Sequence, residues 1–270
     1  MKKFLVIGNP IEHSLSPTLH NYWIKNNYID AIYKKQKINE NDLENLIFQI
    51  KKNEIDGINV TVPFKKTVIP FLDKLTLEAE KTQSVNTIYL SGDQIVGHNT
   101  DIEGFEISIK KSKIDLSNKE VLILGAGGVV PSIIYALNKM KVSKIIVSNR
   151  TKDKAKNLNS LFNNLDIIEW GEVPSFDMVI NATSLGLKEK DKINLDFSSV
   201  GQNKFFYDVI YNPKETNFLK TGKNLGNITL NGKLMFIYQA LSAFYIWHGL
   251  KPDINEDVIK LLDWWLKLEF

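Results

Sequence analysis

The sequence VLILGAGG at residues 121–128 decides the fold of this chain. Four consecutive apolar residues are typical of a parallel strand that is buried on both faces. The glycines follow this strand directly and lead into a helical pattern that continues through Met140. A strand, a glycine-rich turn and a helix in this order form a cradle for the phosphates of a dinucleotide. We therefore predict a dinucleotide-binding domain of the Rossmann type around this stretch.

Five further apolar segments extend the pattern along the second half of the chain. Helical patterns at 151–162 and 214–223 separate some of these segments, as expected for βαβ units. The sequence therefore predicts an α/β fold with a doubly wound parallel sheet. The six candidate strands are residues 121–124, 144–148, 166–168, 176–180, 205–208 and 228–230.

The candidate strand at 144–148 ends in Asn149, Arg150 and Thr151. An acidic residue at this place holds the ribose 2′-hydroxyl of NAD. Arginine stands there instead, and its forked guanidinium suits a phosphate, so NADP is favoured over NAD. The alternative is a polar turn in which Thr151 caps the next helix.

The first half of the chain also alternates strands and helices. A strand is predicted at 4–8. A helix follows it, with Ser16 as the predicted N-cap and Pro17 as the first helical residue. Ser14 has no capping role in this prediction, and its hydroxyl could bind a polyol or a carboxylate. A strand at 31–38 and an amphipathic helix at 40–51 follow.

The next informative stretch is INVTVPFK at residues 58–65. Its apolar residues alternate with Asn59 and Thr61, which predicts a strand with the apolar side chains, Val62 included, on the core. The proline after Val62 ends the strand. The two polar side chains would then share the opposite face.

Lys65 follows that proline, and we predict a short helix over 65–74 with Lys65 in its first turn. The positive end of the helix macrodipole disfavours a cation there, so the lysine would lose its proton more easily. The alternative is an edge strand with a hydrated face and a solvated lysine.

Segments 84–89 and 94–97 predict a β-hairpin that leads to Asp101 and a helix. Asp101 could simply cap that helix. Near the end of the chain, the sequence predicts an apolar helix at 232–248 and an amphipathic helix at 256–268. Trp264, Trp265 and Leu268 of the last helix are predicted core residues.

Composition limits the partners of the chain. Its 34 basic and 31 acidic residues give a net charge of +3 and are scattered, which argues against nucleic-acid and membrane partners. The absence of cysteine removes disulfides and thiolate metal sites, and we expect no metal. No signal peptide or membrane span is predicted, so we expect a cytoplasmic protein.

Taken together, these residues resemble the shikimate dehydrogenase family over essentially the whole chain. The resemblance implies an NADP-dependent reduction of the 3-keto group of 3-dehydroshikimate, on the route to chorismate and the aromatic amino acids. The matching motifs are residues 8–11, 14–17, 59–65, 85–87, 99–101, 125–128, 149–151, 181–183, Tyr207-Asp208 with Tyr211, and Gln239. Val129, Val130 and Pro131 after the glycines, and Leu77, depart from the family pattern.

The resemblance also implies roles for individual residues. Lys65 and Asp101 would be the catalytic pair, with Lys65 as proton donor and acceptor. Ser14 and Ser16, helped by Tyr211, would hold the substrate carboxylate. The ring hydroxyls would bind Asn59, Thr61, Asn86 and Gln239. The cofactor would contact Gly125, Ala126, Gly127, Gly128, Val129, Asn149, Arg150, Thr151, Ala182, Thr183, Val209 and Gly232.

The predicted domains are a substrate-binding domain at 1–102 and a cofactor domain at 103–237. The helices at 238–270 are expected to pack back onto the first domain. Two other functions share this scaffold: an NAD-dependent quinate/shikimate dehydrogenase and a non-catalytic NADP-binding sensor. A small-molecule substrate is the expected partner, and a monomer and a homodimer are both compatible with the sequence.

Overall fold

The computed structural model describes residues 1–188 and 190–268, and the side chains of the last helix as far as Trp264. The chain divides into two compact units. Unit 1 comprises Met1–Gly104 and Ile237–Phe270, and unit 2 comprises Phe105–Phe236. Each unit is built on its own six-stranded sheet. The predicted two-domain α/β class is therefore confirmed.

The described residues contain twelve strands and nine α-helices. The strands are β1 (Lys2–Gly8), β2 (Ala31–Lys37), β3 (Gly57–Val60), β4 (Lys74–Leu75), β5 (Thr87–Ser91), β6 (Gln94–His98), β7 (Glu120–Leu124), β8 (Lys144–Ser148), β9 (Leu165–Ile168), β10 (Met178–Asn181), β11 (Phe205–Asp208) and β12 (Ile228–Leu230). The helices are α1 (Ser16–Asn26), α2 (Leu43–Lys51), α3 (Leu77–Thr82), α4 (Asp101–Lys111), α5 (Val130–Lys139), α6 (Lys152–Lys156), α7 (Asn217–Asn224), α8 (Lys233–His248) and α9 (Glu256–Leu268). Short 3₁₀ segments occupy Glu40–Asp42, Ile69–Phe71 and Asn157–Ser160.

The sheet of unit 1 is mixed, with the order β2-β1-β3-β5-β6-β4. β1 pairs in parallel with β2 and β3, whereas β5 runs antiparallel to both β3 and β6. The predicted hairpin is β5–β6, closed by the pair Ser91 and Gln94. This order places the chain leaving β3 beside the chain entering β5.

The core of unit 1 follows from the spacing of apolar residues on α2. Leu43, Leu46, Ile47 and Ile50 recur every three to four residues and are all buried. They pack in one cluster with Ile58 of β3 and residues of β1, β5 and β6. The helix thereby covers one face of the sheet.

The sheet of unit 2 is wholly parallel, with the order β12-β11-β10-β7-β8-β9. β7 and β10, the first and fourth strands of the unit, are neighbours at its centre. This is the doubly wound order in which the switch point lies at the carboxyl ends of these two strands. Residues 121–124 of β7 are fully buried, as their continuous apolar run predicts.

Helix α8 packs on unit 1 through aromatic residues. The indole N–H of Trp247 donates to the Ile88 carbonyl oxygen over 3.2 Å, and its ring lies 4.9 Å from the Phe4 ring. Ser242 of the same helix hydrogen-bonds Glu103. These contacts attach α8 to β1 and β5 of the first sheet and to α4.

The predicted helix at 65–74 is wrong. Residues 62–68 form consecutive turns, and only Ile69–Phe71 is helical, as a 3₁₀ segment. Thr67, Val68 and Ile69 are β-branched and precede Pro70, which lacks an N–H and disfavours the α-conformation of the residue before it. Lys65 therefore does not begin an α-helix, and the macrodipole argument does not apply to it.

Two predictions at the start of α1 and after β3 are also wrong. The N-cap of α1 is Leu15, with no capping side chain, and Ser16 is already helical. Ser14 accepts a hydrogen bond from the Ser16 N–H over 3.4 Å, so it does contribute to this helix start. Val62 is 58% exposed because β3 ends at Val60 and the chain turns away from the core.

Two short elements, β4 and α3, were absent from the prediction because they are too short for a periodic pattern. Trp264 was expected in the core, yet it is 56% exposed. An indole on an amphipathic helix can lie at the edge of the apolar face, which periodicity does not reveal. The side chains of Trp265 and Leu268 lie outside the described residues.

Candidate active site

Lys65 and Asp101 form the centre of the site in unit 1. The Lys65 ammonium donates a hydrogen bond to Asp101 Oδ2, and the two side chains are only 12% and 8% exposed. Lys65 lies in the turns after β3, and its carbonyl oxygen accepts a hydrogen bond from the Val85 N–H over 2.8 Å. Asp101 is the first residue of α4. An ammonium and a carboxylate are thus held together with little water around them.

Asn86 fixes the other oxygen of Asp101. Its Nδ2 donates to Asp101 Oδ1 over 2.9 Å and to Thr100 Oγ1 over 3.0 Å. Its Oδ1 accepts hydrogen bonds from the Thr100 N–H over 2.8 Å and the Thr87 hydroxyl over 3.0 Å. Both oxygens of Asp101 therefore bind side chains, so this carboxylate does more than cap a helix.

Asn59 lies next to Asn86 because β3 and β5 are neighbours in the sheet. Its Nδ2 donates to the Asn86 carbonyl oxygen and to Thr87 Oγ1, each over 3.0 Å. Its Oδ1 accepts a hydrogen bond of 2.6 Å from the Tyr33 hydroxyl. The predicted ring-hydroxyl ligands Asn59 and Asn86 thus belong to one hydrogen-bonded network with Asp101, a member of the predicted catalytic pair.

The remaining predicted substrate ligands of unit 1 lie on three different elements. Ser14 precedes α1 and is half-buried, and Ser16 is buried in the first turn of that helix. Thr61 follows β3, and its N–H donates to the Ile7 carbonyl oxygen over 2.9 Å. Gln239 lies half-buried on α8. Tyr211 belongs to unit 2, where its ring stacks on Phe236 at 4.6 Å.

The glycine-rich turn of unit 2 links β7 to α5. Gly125 has a φ of +113°, and a Cβ there would lie 2.9 Å from the Ala182 carbonyl oxygen. The chain therefore needs glycine at this position. Gly127 and Gly128 are exposed, and Val129 is the N-cap of α5. Such a turn leaves backbone N–H groups open to a phosphate, so the residues fit a dinucleotide.

Val130 and Pro131, which depart from the family pattern, begin α5. Val130 is fully buried at the third position of the dinucleotide pattern. Pro131 lies in the first helical turn, where its missing N–H breaks no intrahelical hydrogen bond. Both residues are therefore compatible with a helix that starts at the glycine turn.

The segment after β8 presents Arg150 on the surface of unit 2. Arg150 and Thr151 are exposed, whereas Asn149 is half-buried and its Nδ2 donates to the Thr151 carbonyl oxygen over 2.7 Å. Thr151 is the N-cap of α6 but makes no capping hydrogen bond with its side chain. The alternative of a polar turn with Thr151 as the helix cap accounts for the position of Thr151. It does not account for an arginine at position 150.

Asn181 organises the loop after β10. Its Oδ1 accepts hydrogen bonds from the N–H and the hydroxyl of Thr183, over 3.0 and 2.7 Å. Its Nδ2 donates to Asp208 Oδ1 over 3.0 Å. Ala182 is tied to the end of the neighbouring strand β7, because its N–H donates to the Leu124 carbonyl oxygen over 2.8 Å. The predicted cofactor residues 182 and 183 therefore lie beside the glycine turn.

Asp208 holds the neighbouring loop at the end of β11. Thr216 Oγ1 donates to Asp208 Oδ2 over 2.6 Å, and the Ile210 N–H donates to Asp208 Oδ1 over 3.0 Å. Burial raises the pKa of Asp208 to about 6, although these hydrogen bonds act in the opposite direction. The adjoining backbone is close-packed, since a Cβ on Gly232 would lie 2.0 Å from the Val209 carbonyl oxygen.

The sequence analysis assigned no site role to Tyr33, Thr87 or Thr100, although all three belong to the hydrogen-bonded network of unit 1. Thr87 and Thr100 stand next to Asn86 and Asp101, so proximity to a polar motif was an available signal. Tyr33 gave no such signal, because it lies in a strand between an isoleucine and a lysine.

The described residues contain no group of three or more His, Cys, Asp and Glu side chains arranged to hold a metal ion. In the same part of the chain, no helix has both the length and the apolar character needed to cross a bilayer.

A glycine turn at the switch point of a parallel sheet, with a buried lysine–aspartate pair in a second α/β unit, defines a two-domain dehydrogenase. A family model described as the shikimate dehydrogenase substrate binding domain matches residues 6–88. A second, described as shikimate / quinate 5-dehydrogenase, matches residues 107–209. The chain belongs to the shikimate dehydrogenase family, as its motifs predicted.

Individual relatives agree with this assignment over nearly the full chain. The chain is 58% identical over 262 residues to an NADP(+) shikimate dehydrogenase of Pelagibacter ubique, covering 97% of this chain and 99% of the relative. The shikimate dehydrogenase structure of Aquifex aeolicus is 34% identical, with a TM-score of 0.88 and 97% of both chains covered. The Thermus thermophilus enzyme, solved with NADP(H) and shikimate, is 28% identical, with a TM-score of 0.88 and coverage of 97% and 100%.

Proposed function

We propose that this protein catalyses the reversible NADPH-dependent reduction of 3-dehydroshikimate to shikimate, a step toward chorismate and the aromatic amino acids. The observation that carries the proposal is the buried ion pair of Lys65 and Asp101 in a member of this family. The names of its relatives, with 58% identity to an NADP(+) shikimate dehydrogenase, support both the substrate and the cofactor.

Reduction of a ketone requires a hydride at the carbonyl carbon and a proton at the oxygen. NADPH supplies the hydride when bound. Lys65 carries an ammonium hydrogen that it can donate to the carbonyl oxygen, and in the reverse direction its amine accepts the hydroxyl proton. Asp101 holds the ammonium through Oδ2 and is itself held by Asn86, so the donor is oriented before substrate arrives.

The substrate carries a carboxylate and hydroxyl groups, for which unit 1 offers matching partners. Ser14 accepts a hydrogen bond from the Ser16 N–H, and its own O–H donates to no atom of the described residues. This hydroxyl can therefore donate to a carboxylate. We assign Ser14, Ser16 and Tyr211 to the carboxylate, and Asn59, Thr61, Asn86 and Gln239 to the ring hydroxyls.

The cofactor residues fit NADP. The glycine turn needs the absence of a Cβ at Gly125, and Arg150 presents an exposed guanidinium at the end of β8. A guanidinium forms forked hydrogen bonds with a phosphate, which NADP carries on its ribose and NAD does not. We assign residues 125–129 to the pyrophosphate and Asn149, Arg150 and Thr151 to the ribose phosphate. Ala182, Thr183, Val209 and Gly232 complete the cofactor site in this proposal.

An initial-rate assay that crosses NADPH and NADH with 3-dehydroshikimate and 3-dehydroquinate tests this function. We expect the largest kcat/KM for NADPH with 3-dehydroshikimate. A larger value for NADH with 3-dehydroquinate would establish the NAD-dependent quinate/shikimate alternative instead. NADPH binding without turnover of either substrate would indicate a non-catalytic sensor.

The domain assignment, the oligomeric state and the cellular location are further predictions within this proposal. Residues 1–102 with the helices at 238–270 are assigned to the substrate, and residues 103–237 to the cofactor. A homodimer is checked by sedimentation of the purified protein, and a cytoplasmic location by cell fractionation.

A further inference from the structure

Tyr33 is a buried residue of β2 whose hydroxyl hydrogen-bonds a residue of β3. It donates to Asn59 Oδ1 over 2.6 Å. Burial raises the pKa of the Tyr33 phenol well above its usual value, so the hydroxyl keeps its hydrogen at all working pH values. Since a carboxamide oxygen can only accept, that hydrogen goes to Asn59.

Asn59 connects the Tyr33 hydroxyl to Asp101 through hydrogen bonds with Asn86 and Thr87. A carboxamide has two N–H hydrogens, and Asn59 gives them to the Asn86 carbonyl oxygen and Thr87 Oγ1. The Thr87 hydroxyl in turn donates to Asn86 Oδ1, and Asn86 Nδ2 donates to Asp101 Oδ1. Asn59 is only 7% exposed and has no N–H left for a ligand. Its two N–H groups therefore hold Asn86 and Thr87, and a ring hydroxyl could bind only through the second lone pair of its Oδ1.

The ring and the backbone of Tyr33 are both fixed. The imidazole of His20 stacks on the phenol ring at 4.1 Å with an interplanar angle of 9°. Asn21 accepts a hydrogen bond from the Tyr33 N–H over 2.9 Å and donates one to its carbonyl oxygen over 2.8 Å. His20 and Asn21 belong to α1, so this helix sets the position of the phenol. A hydroxyl anchored in this way can orient its partners without moving itself.

We propose that Tyr33 is a positioning residue for the reaction, whose hydroxyl holds Asn59 and, through Asn59 and Asn86, holds Asp101 against Lys65. The inference rests on the proposed function, because it assumes that Lys65 and Asp101 carry the proton transfer. It assigns no contact with substrate to Tyr33. The route runs entirely through buried hydrogen bonds, which lose their geometry when one donor is removed.

The test is Tyr33→Phe, which keeps the stacked ring and removes only the hydroxyl. We expect kcat for shikimate oxidation with NADP to fall about 10-fold, with an altered pH profile of kcat and an unchanged Kd for NADP. A purely structural role would instead lower Tm and leave kcat per folded molecule unchanged. A value of kcat within twofold of the wild type would therefore overturn the inference.

A double-mutant cycle with Asp101→Asn shows whether Tyr33 acts through Asp101. If it does, adding Tyr33→Phe to the Asp101→Asn variant should change kcat by less than twofold. If the two substitutions lower kcat independently, their fold-reductions multiply in the double variant, and that result would contradict the inference. Tyr207→Phe is a matched control, since Tyr207 is equally buried and loses one hydroxyl contact, with Ser108 at 3.1 Å. This control should retain the wild-type kcat. Wild-type turnover in the same assay separates failure of this inference from failure of the proposed function.

Discussion

The ammonium of Lys65 and the carboxylate of Asp101 are hydrogen-bonded across 36 positions of the sequence. Lys65 lies in the turns after β3, and Asp101 begins α4 after the β5–β6 hairpin. The antiparallel pairing of β3 with β5 brings these two segments to the same end of the sheet. Because both side chains are nearly buried, the pair is screened less by water than a surface ion pair.

Lys65→Ala should reduce kcat by about 10²–10⁴, which is the usual contribution of a positioned proton donor. The variant should still bind NADP, because the glycine turn belongs to unit 2. Steady-state kinetics and cofactor titration check both points. Lys66→Ala is the matched control, since Lys66 is the exposed neighbour and should be replaceable without loss of kcat. Near-normal turnover of Lys65→Ala would refute the role of Lys65.

Arg150→Ala should weaken the binding of NADPH by about 10-fold or more and the binding of NADH only slightly. The reason is that a hydrogen bond to a charged group contributes about 1.5–3 kcal/mol. The measurement is Kd for each cofactor by fluorescence titration. Lys156→Ala, which removes an exposed cation from the helix that follows Arg150, serves as control and should leave both values unchanged. Equal losses for NADPH and NADH would contradict the assignment to the 2′-phosphate.

Ser14→Ala should raise KM for shikimate about 10-fold, because a hydroxyl donor to the carboxylate is lost. The hydrogen bond that Ser14 accepts from the Ser16 N–H is long, at 3.4 Å, so Tm should change little. Kinetics and a thermal melt are compared with Ser91→Ala, an exposed serine in the hairpin. A large fall in Tm with unchanged KM would show that Ser14 serves only to start α1.

Unit 1 should lose stability in mild acid because of His20. Burial, with a smaller effect from His248, lowers the pKa of His20 to about 3. Below pH 6.5 the His20 side chain is protonated in the unfolded chain, whereas in the folded chain it stays neutral down to about pH 3. The free energy of unfolding therefore falls as the pH decreases through this window. The contribution of His20 lowers the free energy of unfolding by about 2 kcal/mol at pH 5 relative to pH 7.5.

Chemical denaturation of the wild type and His20→Phe at pH 7.5 and pH 5 measures this contribution. The phenylalanine ring removes the titration, so the loss of stability between the two pH values should be about 2 kcal/mol smaller in the variant. Asp208 titrates in both proteins and has the opposite sign, since its raised pKa favours the folded state as the pH falls through about 6. The comparison between variants cancels that contribution. Equal pH dependence in the two proteins would contradict the buried neutral state of His20.

Much of the fold was predictable because it depends on local pattern. The apolar run 121–124 and the following glycines predicted β7 and the turn before α5, and the spacing of Leu43, Leu46 and Ile47 predicted α2. The helix predicted at 65–74 failed for a local reason as well, since Pro70 and the β-branched residues before it outweigh the favourable start. Short elements such as α3 leave too few residues for a period to be visible.

The sequence by itself determined most of the strands, the glycine turn between β7 and α5 and which polar side chains stand at strand ends. Only the tertiary structure decided that Tyr33, Asn59 and Asn86 form one hydrogen-bonded route to Asp101. The physical reason is that an alternating pattern fixes the two faces of a strand but not its neighbours. The order β2-β1-β3-β5 comes from packing the whole unit, and it sets which buried donors meet which acceptors.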